Sequence, residues 1–360
     1  MKPMKPMKSI LSTPAALTAA ALLGLATFSP GTAQAKPLPA PDQKANPQMK
    51  AVLIELARLT PVPPYMLTPA QVRKGHGPPD AVQAVLKMQG KSTAPEPVAN
   101  VRNTTVPGPA GPIPVRVYTP TGTAPFPVLV YFHGGGWVIA NIQTYDASCR
   151  ALANKAGCVV VSVGYRQAPE HKFPASHEDS YAAAQYVMAH TAQFGGDPKR
   201  VAVGGESAGG NLAAAVCLMA RDRKGRMPIY QLNVYPIAGT DLNTPSYLAN
   251  AKAIPLSKPF MAWFFRYEVR TPRDLQNPLI AIDRANVHGL PPATVITDQI
   301  DPLQSEGMRY AARLKAAGIP VRFRNYNGVT HEFFSMPAVL DAARDANTFA
   351  AEGLKSAFNK

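Results

Sequence analysis

Val201-Ala202-Val203-Gly204-Gly205-Glu206-Ser207-Ala208-Gly209-Gly210-Asn211 reads as a short β-branched strand running into a glycine-flanked serine. An alanine-rich helical run, Leu212 to Met219, leaves it. Gly205-x-Ser207-x-Gly209 fits the nucleophile elbow, a sharp strand-to-helix turn that lifts a serine hydroxyl clear of the backbone. So tight a turn requires tiny flanking residues, and it aims a helix N-terminus at the serine, where partial positive charge favours an oxyanion. A glycine-rich turn with an N-capping serine has the same composition. The two readings separate on whether the rest of the chain supplies an oxyanion hole, an acid and a histidine in workable order.

Upstream, Phe126 to Phe132 is a continuous apolar run, the pattern of a strand buried on both faces, and it ends in His133-Gly134-Gly135-Gly136-Trp137. Consecutive glycines after a central strand let bare N–H groups converge on a small anion with no side chain in the way. The HGGG type is an oxyanion loop of lipases and esterases, and its place directly after a strand suits that role. Cys158 to Val163, Tyr230 to Val234, Pro292 to Thr297 and Val321 to Tyr326 read as further strands. Thr144 to Ala156 and Ser176 to His190 read as helices between them. That alternation predicts a mostly parallel sheet with helices on both faces. Thr104 to Val106 and Ile113 to Tyr118 read as an antiparallel pair ahead of it.

The glycine loop and the serine turn, taken with Tyr165-Arg166-Gln167-Ala168-Pro169-Glu170-His171-Lys172-Phe173-Pro174-Ala175, resemble the hormone-sensitive-lipase-like α/β-hydrolases, also called bacterial esterase family IV. The resemblance runs from about Asn100 to the C-terminus, and more weakly over the helices before it. Gly164 stands where the family usually has aspartate, and Gln167 where it usually has leucine. The resemblance implies an α/β-hydrolase fold with a helical cap. The cap would be built from residues 36–99 and from an insertion at about 239–271 that carries Pro245, Pro255, Pro259 and the aromatic helix Phe260 to Tyr267. Trp263, Phe264 and Phe265 read either as cap core or as acyl-pocket lining.

A serine hydroxyl needs a neutral imidazole to take its proton and a carboxylate to fix the imidazole tautomer. Just beyond the strand Val321 to Tyr326 comes His331, and just beyond Pro292 to Thr297 come Asp298 and Asp301. Open α/β sheets place their ligands at those strand ends. Of the seven histidines only His331 follows a strand after the acid. Both aspartates fit the position; Asp301, in Asp301-Pro302-Leu303, is the one that matches the family motif. The order Ser207, Asp301, His331 is that of the α/β-hydrolases. Gly135, Gly136 and Ala208 are the expected oxyanion donors, and the chemistry calls for no metal and no organic cofactor. Glu206 replaces the aspartate of many relatives and is expected to brace the elbow or a neighbouring loop by hydrogen bonds; Glu332 is expected to be exposed or to lie behind the triad.

Lys2, Lys5 and Lys8, the apolar run Ile10 to Phe28 and the Ala33-Gln34-Ala35 site predict a secretory signal peptide over residues 1–35, cleaved after Ala35. Its removal takes three lysines and no acidic residue, so the +15 of the whole chain becomes +12. With only 16% charged residues that excess is thinly spread. No basic run or aromatic-interleaved basic stripe is present, so nucleic acid is not an expected partner. No later stretch is apolar and long enough to span a bilayer. Ahead of the first strand, Met49 to Leu59, a helix begun by Thr68-Pro69, and Asp80 to Met88 read as helices. The three cysteines leave at least one thiol unpaired; Cys158 and Cys217 read as buried hydrophobes, and a Cys149–Cys158 bridge is one pairing the count permits. The expected protein is an exported serine carboxylesterase for short-to-medium acyl esters. A lactone, amide, polysaccharide-acetyl or polyester hydrolase is the alternative, and a non-catalytic ligand-binding hydrolase fold a remoter one. The edge strand Val321 to Tyr326 offers a surface for pairing two copies.

Overall fold

The computed structural model describes Pro3 and residues 44–360; the predicted signal peptide lies outside the described residues. Three helices come first, α1 (Pro47–Leu59), α2 (Pro69–Lys74) and α3 (Pro78–Met88). Each begins on a proline, whose fixed φ and missing N–H suit the first helical turn. Asn46 caps α1 by accepting from the Met49 amide at 2.8 Å, and Thr68 with Gln71 forms a capping box on α2.

The rest alternates strand and helix. The strands are β1 (Asn100–Gly108), β2 (Gly111–Thr119), β3 (Phe126–Phe132), β4 (Val159–Val163), β5 (Gly196–Glu206), β6 (Gln231–Val234), β7 (Ala293–Ile300) and β8 (Val321–Thr330). Between them lie α4 (Asp146–Ala156), α5 (Ala175–Ala189), α6 (Ala208–Asp222), α7 (Pro245–Ala249), α8 (Lys258–Glu268) and α9 (Gln304–Ala316), and α10 (Asp341–Phe358) closes the chain. The eight strands form one sheet in the order β1-β2-β4-β3-β5-β6-β7-β8. β1–β2 and β2–β4 pair antiparallel; every other pair is parallel, as the βαβ alternation predicts.

Central strands β4 and β6 are buried along their whole length, and β3 everywhere but Pro127, because helices cover both faces. One core places Val128, Val130 and Phe132 against α5, α6 and α8; the other places Leu129 and Tyr131 against α1, α4 and α10. The predicted strands and helices are present with their ends moved by a few residues. β8 runs four residues further than read, to Thr330, which brings its end directly onto His331. α4 starts at Asp146, because Thr144 is spent in a turn with Asn141. All three cysteines are free and buried, so the Cys149–Cys158 bridge is not formed. Cys149 lies inside α4, whereas Cys158 sits just ahead of β4 with its thiol directed at the Leu152 carbonyl, 4.0 Å away. Among the described residues no helix is long and apolar enough to cross a membrane.

Candidate active site

β5, in the middle of the sheet, ends at Glu206, Ser207 follows at its C-terminal end, and α6 begins on the next residue. Ser207 has φ 57° and ψ −118°, a conformation that side-chain-bearing residues rarely adopt. It is held there by its neighbours: its amide donates to Val234 O at 2.9 Å, and its carbonyl accepts from the Asn211 and Ile237 amides. A Cβ on Gly205 or Gly209 would run into the Phe132 carbonyl, so the elbow packs backbone against backbone as its sequence predicts.

His331 follows β8, and its two ring nitrogens are both engaged. Nε2 lies 2.9 Å from Ser207 Oγ and Nδ1 2.7 Å from Asp301 Oδ2. Asp301 is pinned in turn, its Oδ1 accepting the Leu303 amide at 2.8 Å and its carbonyl the side chain of Asn250 at 3.1 Å. Ser207, Asp301 and His331 are all buried. Burial disfavours the imidazolium, but the adjacent Asp301 carboxylate, together with the charges of Glu332 and Glu206, outweighs it and holds the His331 pKa above its ordinary value. The structure therefore brings together all three residues that the sequence singled out.

Asp298, the other candidate acid, is fully buried on β7 beside Asp301. Burial, and then the charge of Asp301, push its pKa well above the carboxylate range. Asp298, Asp301 and His331 are the trio among the described residues whose ligand atoms lie within 4.8 Å of one another. Asp301 and Ser207 already use both nitrogens of His331, so this trio offers a cation no free imidazole nitrogen.

The glycine loop curls over the serine. Gly135 and Gly136 have φ of 93° and 56°, and the Gly135 carbonyl accepts from Val138 and Ile139. Among the described residues the Gly135 and Gly136 amides make no backbone hydrogen bond, and the Ala208 amide is one of the free donors that open α6. His133 is a scaffold rather than a base. Burial drives its pKa down to about 4, and it stacks on Tyr165 with ring centroids 4.3 Å apart while Nδ1 bonds the Gly134 carbonyl. Gln167, a departure from the family pattern, donates to Ile139 O at 2.7 Å and Ala140 O at 3.1 Å and so ties down the far end of the loop.

Several supporting residues escaped the sequence reading. Asn211, in the first turn of α6, bonds the carbonyls of Ile237 and Ile280 at 2.9 Å each and faces His177 Nε2 at 3.2 Å. Tyr131 and Tyr235 both donate to Glu206, whose carboxyl burial raises to about 7, the charge of Glu332 adding to the effect. Glu332 is not exposed but lies beside His331, where it accepts from Tyr145 Oη at 2.7 Å. Trp263, Phe264 and Phe265 are all buried, and Phe264 also meets the site: a Cβ on Gly136 would strike its ring.

A family model described as the α/β hydrolase fold matches residues 129–335. The chain is 40% identical to carboxylesterase NlhH of Mycobacterium tuberculosis over 252 residues, 69% of this chain and 79% of that protein. It is 36% identical to carboxylic ester hydrolase LipN of the same organism over 315 residues, 83% of each chain. Among solved structures, an esterase of Pyrobaculum calidifontis superposes with a TM-score of 0.78 at 39% identity, covering 87% of this chain and 98% of that one. This chain belongs to the hormone-sensitive-lipase-like α/β-hydrolases. It is a carboxylic ester hydrolase.

Proposed function

We propose that Ser207, His331 and Asp301 are the catalytic triad of an exported esterase for short-to-medium acyl esters. The observation that carries this is the unbroken line Ser207 Oγ–His331 Nε2, 2.9 Å, and His331 Nδ1–Asp301 Oδ2, 2.7 Å. Ser207 Oγ attacks the ester carbonyl as its proton passes to Nε2, while Asp301 holds the imidazole tautomer and steadies its charge. The amides of Gly135, Gly136 and Ala208 receive the oxyanion. Nε2 then protonates the departing alcohol, and water activated by the same nitrogen releases the acid.

Phe264 supports the acyl limit. It packs on Gly136 and stacks on Phe260 with centroids 4.3 Å apart, which narrows the space above the oxyanion loop. In this reading α8 and the N-terminal helices form the cap; Trp263 Nε1 donates to Leu67 O at 3.0 Å and joins the two. Export rests on residues 1–35, and a purified extracytoplasmic product whose mass begins at Lys36 is the expected result. β8 lies at the sheet edge and leaves one side for pairing with a second copy; light scattering of the native protein reads the mass directly.

The test is hydrolysis of p-nitrophenyl esters of rising acyl length, with Ser207→Ala alongside. Turnover of short esters and a loss on the order of 10⁴-fold in the variant is the expected outcome. Equal rates for both proteins overturn the triad.

A further inference from the structure

The nitrogen of His331 that takes the serine proton has a second carboxylate beside it. Glu332 Oε1 stands 3.9 Å from Nε2, with its side chain 14% exposed, and Tyr145 Oη holds the same oxygen at 2.7 Å. The Tyr145 hydroxyl also packs on Gly134, where a Cβ would collide with it, so one tyrosine braces both the oxyanion loop and this carboxylate. Glu332 has φ 73° and ψ 0°. That left-handed conformation is uncommon for a residue with a side chain and costs glycine nothing. Strain of this kind persists where the surroundings impose it, and it clusters at active sites.

At 3.9 Å Glu332 is too far from Nε2 for a hydrogen bond, so it acts by charge through space. The groups facing the imidazole are Asp301 at Nδ1, Glu332 at Nε2, Glu206 from the end of β5, the Tyr235 ring with its centroid at 4.5 Å, and Asp298. Glu332 in turn faces Tyr145 and His331, with Asp301, Asp298 and Glu206 within charge range. Burial raises its pKa, whereas His331 and then Tyr145 favour its ionised form. Burial raises the carboxyl of Glu206 to about 7 against the hydrogen bonds of its two tyrosines, whereas Glu332 is the carboxyl whose ionised form the neighbouring His331 favours.

We propose that Glu332 is a positioning residue for the His331 imidazole, a second negative charge that stabilises the imidazolium from its Nε2 side while Asp301 does so from Nδ1. This rests on the triad reading above. The proton moves from Ser207 Oγ to Nε2 as the Oγ–carbon bond forms, and from Nε2 to the alcohol oxygen as the ester bond breaks; Glu332 takes no proton in either step.

The experiment is the pH profile of kcat/KM for p-nitrophenyl acetate, from about pH 5 to about pH 9, on the full chain. The proteins compared are native, Glu332→Gln, Glu332→Asp, Glu332→Gly and Ser207→Ala. Without the Glu332 charge the imidazolium is less stable, so the neutral base survives to lower pH. The acid limb of Glu332→Gln therefore moves to lower pH, its plateau kcat falls about three- to tenfold, and KM stays put. Glu332→Asp keeps its limb nearer the native one. Glu332→Gly, free of backbone strain, shifts the limb as Glu332→Gln does while unfolding at the native temperature or above, which separates charge from fold. Acid limbs of Glu332→Gln and Glu332→Gly that superpose on the native one, beside an inactive Ser207→Ala, overturn this inference alone. A Ser207→Ala as active as native overturns the triad and this inference with it.

Discussion

Ser207 carries its hydroxyl on a backbone that only a closely packed turn sustains, and His331 sits where neighbouring carboxylates, Asp301 first among them, set its basicity. Because Asp301 holds the imidazolium, the His331 pKa lies above its ordinary value. Attack needs the neutral ring, so kcat/KM should fall as pH drops through that raised value, an acid limb above about 6.5 in a plain pH–rate profile. Asp298 gives a second test with the opposite kind of readout. Its folded-state pKa is raised, so between about pH 4 and that raised value the folded chain holds a proton that the unfolded chain releases, and stability falls as pH rises. Asp298→Asn removes that term. Its melting temperature should exceed the native one by more at pH 8 than at pH 5, as calorimetry at the two values would read. Gln167→Leu restores the family's residue but frees the Ile139 and Ala140 carbonyls; a several-fold lower kcat with little change in KM is expected. The proposed triad was legible because each member sits in a motif and the three follow a fixed order. Glu332 was not, because its importance lies in a distance to Nε2 and in a tyrosine 187 residues away.

Among the elements, α8 lies against the oxyanion loop through Phe264. Its aromatic face was read as either cap core or pocket wall; Trp263 bonds the Leu67 carbonyl, and the Phe264 ring lies against Gly136. Phe264→Ala should open the space over the oxyanion loop and move the preferred acyl length upward, with the acetate rate falling and longer p-nitrophenyl esters gaining. An unchanged chain-length profile would place the acyl chain elsewhere. Gly136→Ala is the sharper change, since the new methyl meets the Phe264 ring at a φ suited to glycine; a loss of activity well beyond any loss of stability is expected. Helices with proline starts and strands with β-branched runs were legible by local chemistry. Strand ends were not, since the length of β8 is fixed by pairing with β7 across a register shift near Ile300 rather than by its own residues.

For the molecule as a whole, the parallel part of the sheet sets the ends of β5, β6, β7 and β8 in one row, and just beyond those of β5, β7 and β8 come the serine, the acid and the histidine. The alternation of patterns foretold that arrangement and the covering of both faces by helices, whereas which helices share a core emerges only from packing. One consequence concerns the three cysteines. Each thiol is sealed in the interior, and burial pushes that of Cys158 up to about 12 and those of Cys149 and Cys217 upward as well. Such thiols are poor nucleophiles and poor targets for exchange. The chain thus reaches its fold without any oxidative step, and its melting temperature should be the same with and without reductant. A protein built this way is indifferent to the redox potential of whichever compartment it occupies, so crossing from a reducing to an oxidising one would leave its covalent structure unchanged.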